Sequence, residues 1–362
     1  MPTLAKDSAE QDLKTLTSQL QASNIVWNIC DTTQLQHADA EYAKKIVESG
    51  MTASVHTVLA YNVGAAEAMD RMIKWRRYYE ESGLFMLGLK AGDSAEAKRK
   101  GKVAMYIAWQ DIGPLEGRID LINAFYDLGL RVIQPTYQRR SLAGDGCGER
   151  NPAGLSLFGI DLVKRCNELG IGLDVSHVSE PTTLDMVEFS DAPILATHVG
   201  AKSVNDNIRN KSDREIKAIA AKGGLIGVVG KSGFLKADGL KKGTTLDDYV
   251  DHVVRICELV GPEYVSIGTD IADERKYSAA FLKEFNKNFP ENSLVDENMK
   301  IELIHPSDLQ SPRYLPNITE TLLRRQFSEG DVKKIIGRNA ERVMAEILKP
   351  RRGGTASNGH AG

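Results

Sequence analysis

Apolar and polar residues follow one another along this chain in blocks. Short runs such as "SNIVWNIC", "MTASVHTVLAY", "KVAMYIAW", "LRVIQPTY", "IGLDVSH", "APILATH", "LIGVVG" and "YVSIGTD" are largely apolar, which predicts strands buried on both faces. Between them lie segments with helical spacing of apolar positions, among them "ADAEYAKKIVESG", "GAAEAMDRMIKWRRYYEESG", "LEGRIDLINAFYDLG", "LSLFGIDLVKRCNELG" and "TLDDYVDHVVRICELVG". These predict amphipathic helices, several ending on the glycine that a left-handed cap favours. About eight strand-then-helix units imply a parallel sheet clothed in helices. That number favours an α/β fold closed as a (β/α)8 TIM-like barrel over an open sheet.

Residues 1–23 read as a helical lead-in, 24–348 as one barrel domain, and 349–362 ("KPRRGGTASNGHAG") as a polar, glycine-rich tail without fixed structure. No internal repeat or nucleotide-binding glycine fingerprint stands out; "GDGCG" (Gly144 to Gly148) falls in a long loop. With 42% hydrophobic and 26% charged residues the chain reads as a soluble globular protein. A formal net charge of -3 offers no footing for nucleic acid or an anionic membrane. No apolar run is long enough to span a bilayer, and "MPTLAKDSAEQDLKTL" lacks the apolar core of a secretion signal. Cys30, Cys147, Cys166 and Cys257 have no C-x-x-C spacing, so a reduced, cytoplasmic protein is expected.

Functional side chains of such a barrel gather where strands end. Here those positions carry Cys30 and Asp31, His56, Gln110, Tyr137, His177, His198, a turn near Gly230, and Asp270. His177 and His198, in consecutive units, could converge with Asp270 on one divalent metal. Each also has a plainer explanation. A histidine after a strand is commonly a hydrogen-bonded loop residue, and Asp270 could cap the next helix. Arg209 in "NDNIRNKSD" fits a solvated loop, Gln110 and Tyr137 fit the edge of the core, and His56, His252 and His305 have no evident partner.

The stretch from "GLSLFGIDLVKRCNELGIGLDVSH" through "APILATHVGAKSVNDNIRNKSD" to "VGPEYVSIGTD", with "GDVKKIIGRNAERVM" near the C-terminus, closely resembles the membrane (renal-type) dipeptidases, peptidase family M19. The resemblance runs from about Asn24 to Leu348 and is strongest from Gly154 to Asp270. It implies a metal-dependent hydrolase on an amidohydrolase-like barrel, in a family that usually carries two zinc ions. His177 and His198 match the histidines of one zinc. Arg209 matches the arginine that grips a substrate carboxylate, a task suited to a guanidinium. Asp270 matches the aspartate that handles the proton beside the metals. Relatives are commonly homodimers, so a homodimer is the expectation by analogy.

The chain also departs from that family. The His-x-Asp pair of the first strand is replaced by "WNICDTT", which offers only Cys30 and Asp31. Gln110 in "YIAWQDIG" stands where a glutamate bridges two metals, and Tyr137 stands where a histidine contacts substrate. A neutral amide cannot offset the repulsion between two dications. "LEG" at Leu115 to Gly117 lies on the following helix and reads as a decoy. The expectation is therefore one zinc ion at His177 and His198, with Gln110 or water completing it. A second, weaker ion could be rebuilt from Cys30 or Asp31 with Asp270. The reaction expected is dipeptidase-like hydrolysis of an amide or related bond in a small, carboxylate-bearing substrate, with Arg209 and Tyr137 binding it. The alternative is a barrel that has lost its metal and binds a small ligand without hydrolysing it.

Overall fold

The computed structural model describes residues 2–289 and 300–350. Among the described residues, nine strands form a single all-parallel sheet: β1 (Trp27–Asp31), β2 (Ala53–Leu59), β3 (Phe85–Leu87), β4 (Val103–Trp109), β5 (Leu130–Ile133), β6 (Gly172–Asp174), β7 (Ile194–Val199), β8 (Leu225–Val228) and β9 (Val265–Ile267). Eight of them, in the order β1-β2-β4-β5-β6-β7-β8-β9, build the barrel that the block pattern predicts. The seam between β9 and β1 is made just beyond the strands. Thr32 N–H donates to Ile271 O at 3.2 Å and Asp270 N–H to Cys30 O at 3.1 Å. The barrel is thus nearly closed, and its seam runs through two of the candidate site residues.

Two local features depart from the sequence pattern. β3 pairs with Val103 to Met105 of β4, on the edge that β5 continues from Ile107. So short an element carries no period of its own. The helix expected over "LEGRIDLINAFYDLG" is broken: a 3-10 turn covers Gly113–Leu115, and the helix begins only at Leu121. Glu116 and Gly117 adopt left-handed backbone (φ 48° and 75°), which ends the first turn. Glu116 accepts a hydrogen bond from Ala65 N–H at 2.9 Å, at the start of helix Ala65–Glu81, so it serves as a structural cap.

The end of the chain explains which barrel mouth is open. Trp27, Val55, Tyr106, Val132, Leu195 and Leu225 form one buried cluster with Val343, Met344 and Ile347 of helix Asn339–Ile347. Trp27 Nε1 donates to Glu341 at 3.0 Å, and Asn339 Nδ2 to Val265 O at 2.8 Å. These partners lie at strand starts, so the last helix plugs the N-terminal end and leaves the C-terminal end free. Burying that apolar surface, at about 25 cal/mol per Å2, is what holds the plug in place. The lead-in helix Pro2–Ser23 docks on helix Pro316–Arg324, where Gln21 Nε2 donates to Thr319 Oγ1 at 2.6 Å. Among the described residues no helix is long and apolar enough to cross a membrane. The tail expected to lack fixed structure lies, from residue 351, outside the described residues.

Candidate functional site

At the open mouth lies a cavity of ≈ 820 Å3, lined by Gln110, Tyr137, His177, Lys231, Asp270 and Lys276 among others. His177 follows β6 and His198 sits near the end of β7. Their Nε2 atoms face one another at 3.0 Å. Gln110 Nε2 lies 3.5 Å from His198 Nε2, and 3.9 Å from Cys30 Sγ. Cys30 Sγ in turn lies 3.9 Å from Asp270 Oδ1. Ligand atoms of Cys30, His198 and Asp270 fall within 4.8 Å of one another, a spacing that could hold a metal ion.

The tautomer of His198 follows from its neighbours. Thr197 has one hydroxyl proton and donates it to Asp174 Oδ2 at 2.6 Å. The 2.7 Å contact between Thr197 Oγ1 and His198 Nδ1 is then a bond donated by the imidazole. His198 Nε2 is left with its lone pair directed at His177, as a ligand requires. Ser176 also donates to Asp174, at 2.6 Å, and accepts from His198 N–H at 3.0 Å. The aspartate and serine of "DVSH" therefore organise both histidine segments. His177 Nδ1 is buried without a partner among the described residues, and the Tyr137 ring stacks on this imidazole with centroids 4.1 Å apart.

Burial, reinforced by the Arg209 guanidinium, pushes the His177 pKa well below its usual value. Burial also lowers His198, to about 4, with Asp270 opposing it. Both rings are thus neutral near pH 7. Burial would raise Asp270, but the Lys231 ammonium and weaker cationic neighbours outweigh it and hold the carboxyl below the usual range. Lys231 itself is brought down by burial to about 8, against the pull of Asp270. Burial, with Asp270 next, pushes the Cys30 thiol well up.

The donor set fits a divalent ion. Two nitrogens about 2.0–2.1 Å from one zinc at a tetrahedral angle lie roughly 3.3 Å apart, close to the observed 3.0 Å. An anionic carboxylate and a soft sulfur stand beside them.

Asp270 owes its place to its backbone. It adopts a left-handed conformation (φ 52°), which an aspartate tolerates better than most residues. Asn28 Oδ1 accepts from Thr269 N–H at 3.0 Å and so ties the β9 end to β1. At Gly268 a Cβ would run into the Thr197 carbonyl oxygen, so glycine is what lets β9 lie against the segment carrying His198.

Asp31 and Arg209 stand elsewhere than expected. Asp31 turns away: Oδ1 accepts from Thr33 N–H at 2.8 Å and Oδ2 from Tyr42 OH at 2.9 Å, so both oxygens are committed outside the histidine pair. Arg209 is 1% exposed and does not line the cavity. Its Nη1 donates to Ser176 O and its Nη2 lies 3.5 Å from His198 O. Asn210 Oδ1 accepts from Gly200 N–H at 2.9 Å, and Lys211 Nζ donates to Val178 O at 2.7 Å. The "RNK" segment is accordingly a clamp on the backbone of both histidine loops. The "GDGCG" loop braces the same place, with Cys147 N–H donating to His177 O at 2.8 Å.

The sequence reading does not single out Lys231, Lys276, Tyr277 or the role of His305. Lys231 Nζ donates to Tyr277 OH, lies 3.3 Å from His305 Nε2 and 3.8 Å from Asp270 Oδ2. The one available signal is that Lys231 is the first long polar side chain after the apolar run of β8. Lys276 and Tyr277 follow β9 in a segment without periodicity, and no motif marks them.

Residues 9–286 match the membrane dipeptidase family, peptidase family M19. An uncharacterised protein of the pqqA 5' region of Klebsiella pneumoniae is 31% identical over 196 residues, 52% of this chain and 72% of that protein. The dipeptidase verJ of Clonostachys rogersoniana is 26% identical over 273 residues; the match takes in 75% of this chain but 61% of that dipeptidase's length. Among solved structures, an amidohydrolase from Pseudomonas aeruginosa aligns with a TM-score of 0.82 and 28% identity, over 92% of this chain and 99% of that one.

Proposed function

The chain belongs to the membrane dipeptidase family, peptidase family M19, and from that premise we propose that it is a metal-dependent hydrolase working with one ion. The substrate is a small molecule bearing a carboxylate, dipeptide-like in size, cleaved at an amide or related bond. The observation that carries this reading is the facing pair His177 Nε2 and His198 Nε2, 3.0 Å apart, with the lone pair of His198 freed by Thr197 and Asp174. These two imidazoles would hold the ion, zinc by the chemistry of the donors, with Cys30, Gln110 and Asp270 at its side. Bound there, it would supply Lewis acidity toward a carbonyl and activate water.

The side chains of this chain do the rest. Asp270 is an anion at pH 7, and its Oδ1 and Oδ2 are available to accept a proton at the edge of the cavity, as a general base does. Gln110 offers an amide to orient the reacting group, and the Tyr137 ring shields His177 from bulk water. A single ion is favoured over two because Asp31 is committed to Thr33 and Tyr42, and Gln110 carries no charge. Lys231 also stands 3.8 Å from Asp270 Oδ2, where a second dication would meet an ammonium. At about 4 Å and an effective dielectric near 20, even two unit charges repel by roughly 4 kcal/mol.

Elemental analysis of protein purified without chelator tests the reading. The expected result is zinc approaching one equivalent, lost in the folded His177→Ala/His198→Ala double variant together with hydrolysis of a dipeptide panel. Folded protein that holds no metal and cleaves nothing would instead leave a ligand-binding barrel.

A further inference from the structure

One wall of the cavity is aromatic, and it is built apart from the core of the barrel. After β9 the chain places Tyr277, Phe281, Phe285 and Phe289 four residues apart, across helix Ala279–Asn288. That spacing sets the rings along one side of the helix. Successive rings lie 6.2, 6.2 and 5.3 Å apart between centroids. From Phe289 the series crosses to Tyr61, after β2, at 4.7 Å and to Tyr137, after β5, at 5.0 Å. Tyr137 in turn stacks on His177. An unbroken aromatic surface thus runs from the histidine pair to Tyr277. None of these rings belongs to either buried cluster that fills the barrel.

The wall has a closed side and an open one. Phe285 and Phe289 are buried and back it. Tyr61, Tyr137, Tyr277 and Phe281 are only half-buried, and all four line the cavity. Aromatic surface facing water is unfavourable, and an apolar group laid against it releases that water. Charge does not ask for a different occupant. Arg71 pairs with Glu67, Lys74 with Asp70 at 2.7 Å, and Lys231 with Asp270 at 3.8 Å. Lys276 and Glu284 add one charge of each sign to the lining. Lys276 Nζ already donates to Thr32 O and Thr32 Oγ1, each at 3.1 Å. A charged side chain entering here would lose its water and find the counterions taken.

We infer that this wall is the subsite for a side chain of the substrate. It selects dipeptide-like molecules carrying one large apolar residue, aromatic or branched, over those whose side chains are small or charged. The inference deepens the hydrolase reading, which it needs only for the bound molecule to be a substrate. Tyr61 and Phe281 are its specificity-determining residues, since each offers ring surface to the cavity and neither belongs to the proposed metal centre. Moving a side chain of phenylalanine size from water onto such a wall corresponds to roughly 10- to 100-fold in affinity.

Binding without turnover tests it. In reduced-amide dipeptides a CH2–NH group replaces the scissile amide, so there is no bond to hydrolyse. Analogues of Ala-Phe, Phe-Ala, Ala-Ala and Ala-Lys are titrated against the full chain by ligand-observed NMR. The natural protein is expected to bind a phenylalanine analogue, in one order or both, roughly tenfold or more tighter than the Ala-Ala analogue. The lysine analogue should gain nothing over Ala-Ala. Phe281→Ala and Tyr61→Ala should each remove most of the preference while melting as folded proteins and still binding Ala-Ala. Phe281→Leu and Tyr61→Phe should keep it. The inference is overturned if the natural protein does not discriminate, if the lysine analogue binds as tightly as the phenylalanine ones, or if the preference survives both alanine variants. Discrimination by a protein that cleaves no dipeptide would support the subsite while refuting the hydrolase reading. Cleavage without discrimination would do the reverse.

Discussion

A single hydroxyl decides how His198 presents itself. Thr197 accepts from the imidazole and donates to Asp174, so removing its oxygen leaves a buried carboxylate oxygen and a buried N–H each short of a partner. Thr197→Val keeps the shape and deletes that link. Partners of this kind tune metal affinity by about 10- to 100-fold, and an unsatisfied buried group costs about 1–3 kcal/mol. We expect zinc affinity, measured by competition with a chromophoric chelator, to fall by that factor, and Thr197→Ser to recover most of it. Unchanged affinity would remove Thr197 from the account. His177, His198 and Asp270 were legible as candidates because each ends an apolar run. The choice between Cys30 and Asp31 was not. The register of β1 against β2 shifts between Asn28 and Asp31, and that irregularity sends one side chain toward the histidines and its neighbour toward Tyr42. Alternation read from the sequence cannot place such a shift.

Among the elements, the end of β9 is tightly constrained. Gly268 lies so close to the Thr197 carbonyl that any side chain there must drive the end of β9 away from Thr197. Gly268→Ala should therefore act on both stability and the site, since the displaced strand carries Asp270. Overpacking of this sort costs about 1–3 kcal/mol, more where backbone cannot relax. The expected outcome is a lower urea midpoint and a larger fractional loss of dipeptide hydrolysis than of zinc content, because the histidines are carried by β7 and the turn after β6. Equal loss of both would mean that the whole mouth deforms. The barrel strands themselves were readable from composition, being apolar on both faces. β3 was not, because three residues hold no period, and the helical pattern after β4 runs across a break, because Glu116 and Gly117 turn left-handed inside it. The segment carrying Lys276 and Tyr277 is placed by contacts distant in sequence, with Thr32 and Lys231, which no local pattern encodes.

Across the whole molecule, burial has made the histidines neutral, and this sets how the fold responds to acid. His56 Nε2 donates to Thr33 O at 3.1 Å, so its Nδ1 accepts from Tyr79 OH at 2.6 Å. His252 Nε2 donates to Leu235 O at 3.0 Å, and its Nδ1 accepts from Ala201 N–H at 2.9 Å. Each ring fits as one neutral tautomer, and a second proton would set a donor against a donor. Burial accordingly lowers the pKa of both, as it does for His177, His198 and His305. Folded pKa values below the unfolded value of about 6.5 mean that the unfolded chain takes up more protons as pH falls. The stability they contribute is complete above about pH 6.5 and is lost as pH drops from there through each folded value. The slope reaches at most about 1.4 kcal/mol per pH unit for each such histidine. Chelator-treated protein should show a urea midpoint that declines steadily below pH 6.5. His252→Gln should lower the starting stability, yet reduce the slope below pH 6.5 by up to one histidine's share. An unaltered slope in that variant would show that His252 is not held neutral by the fold.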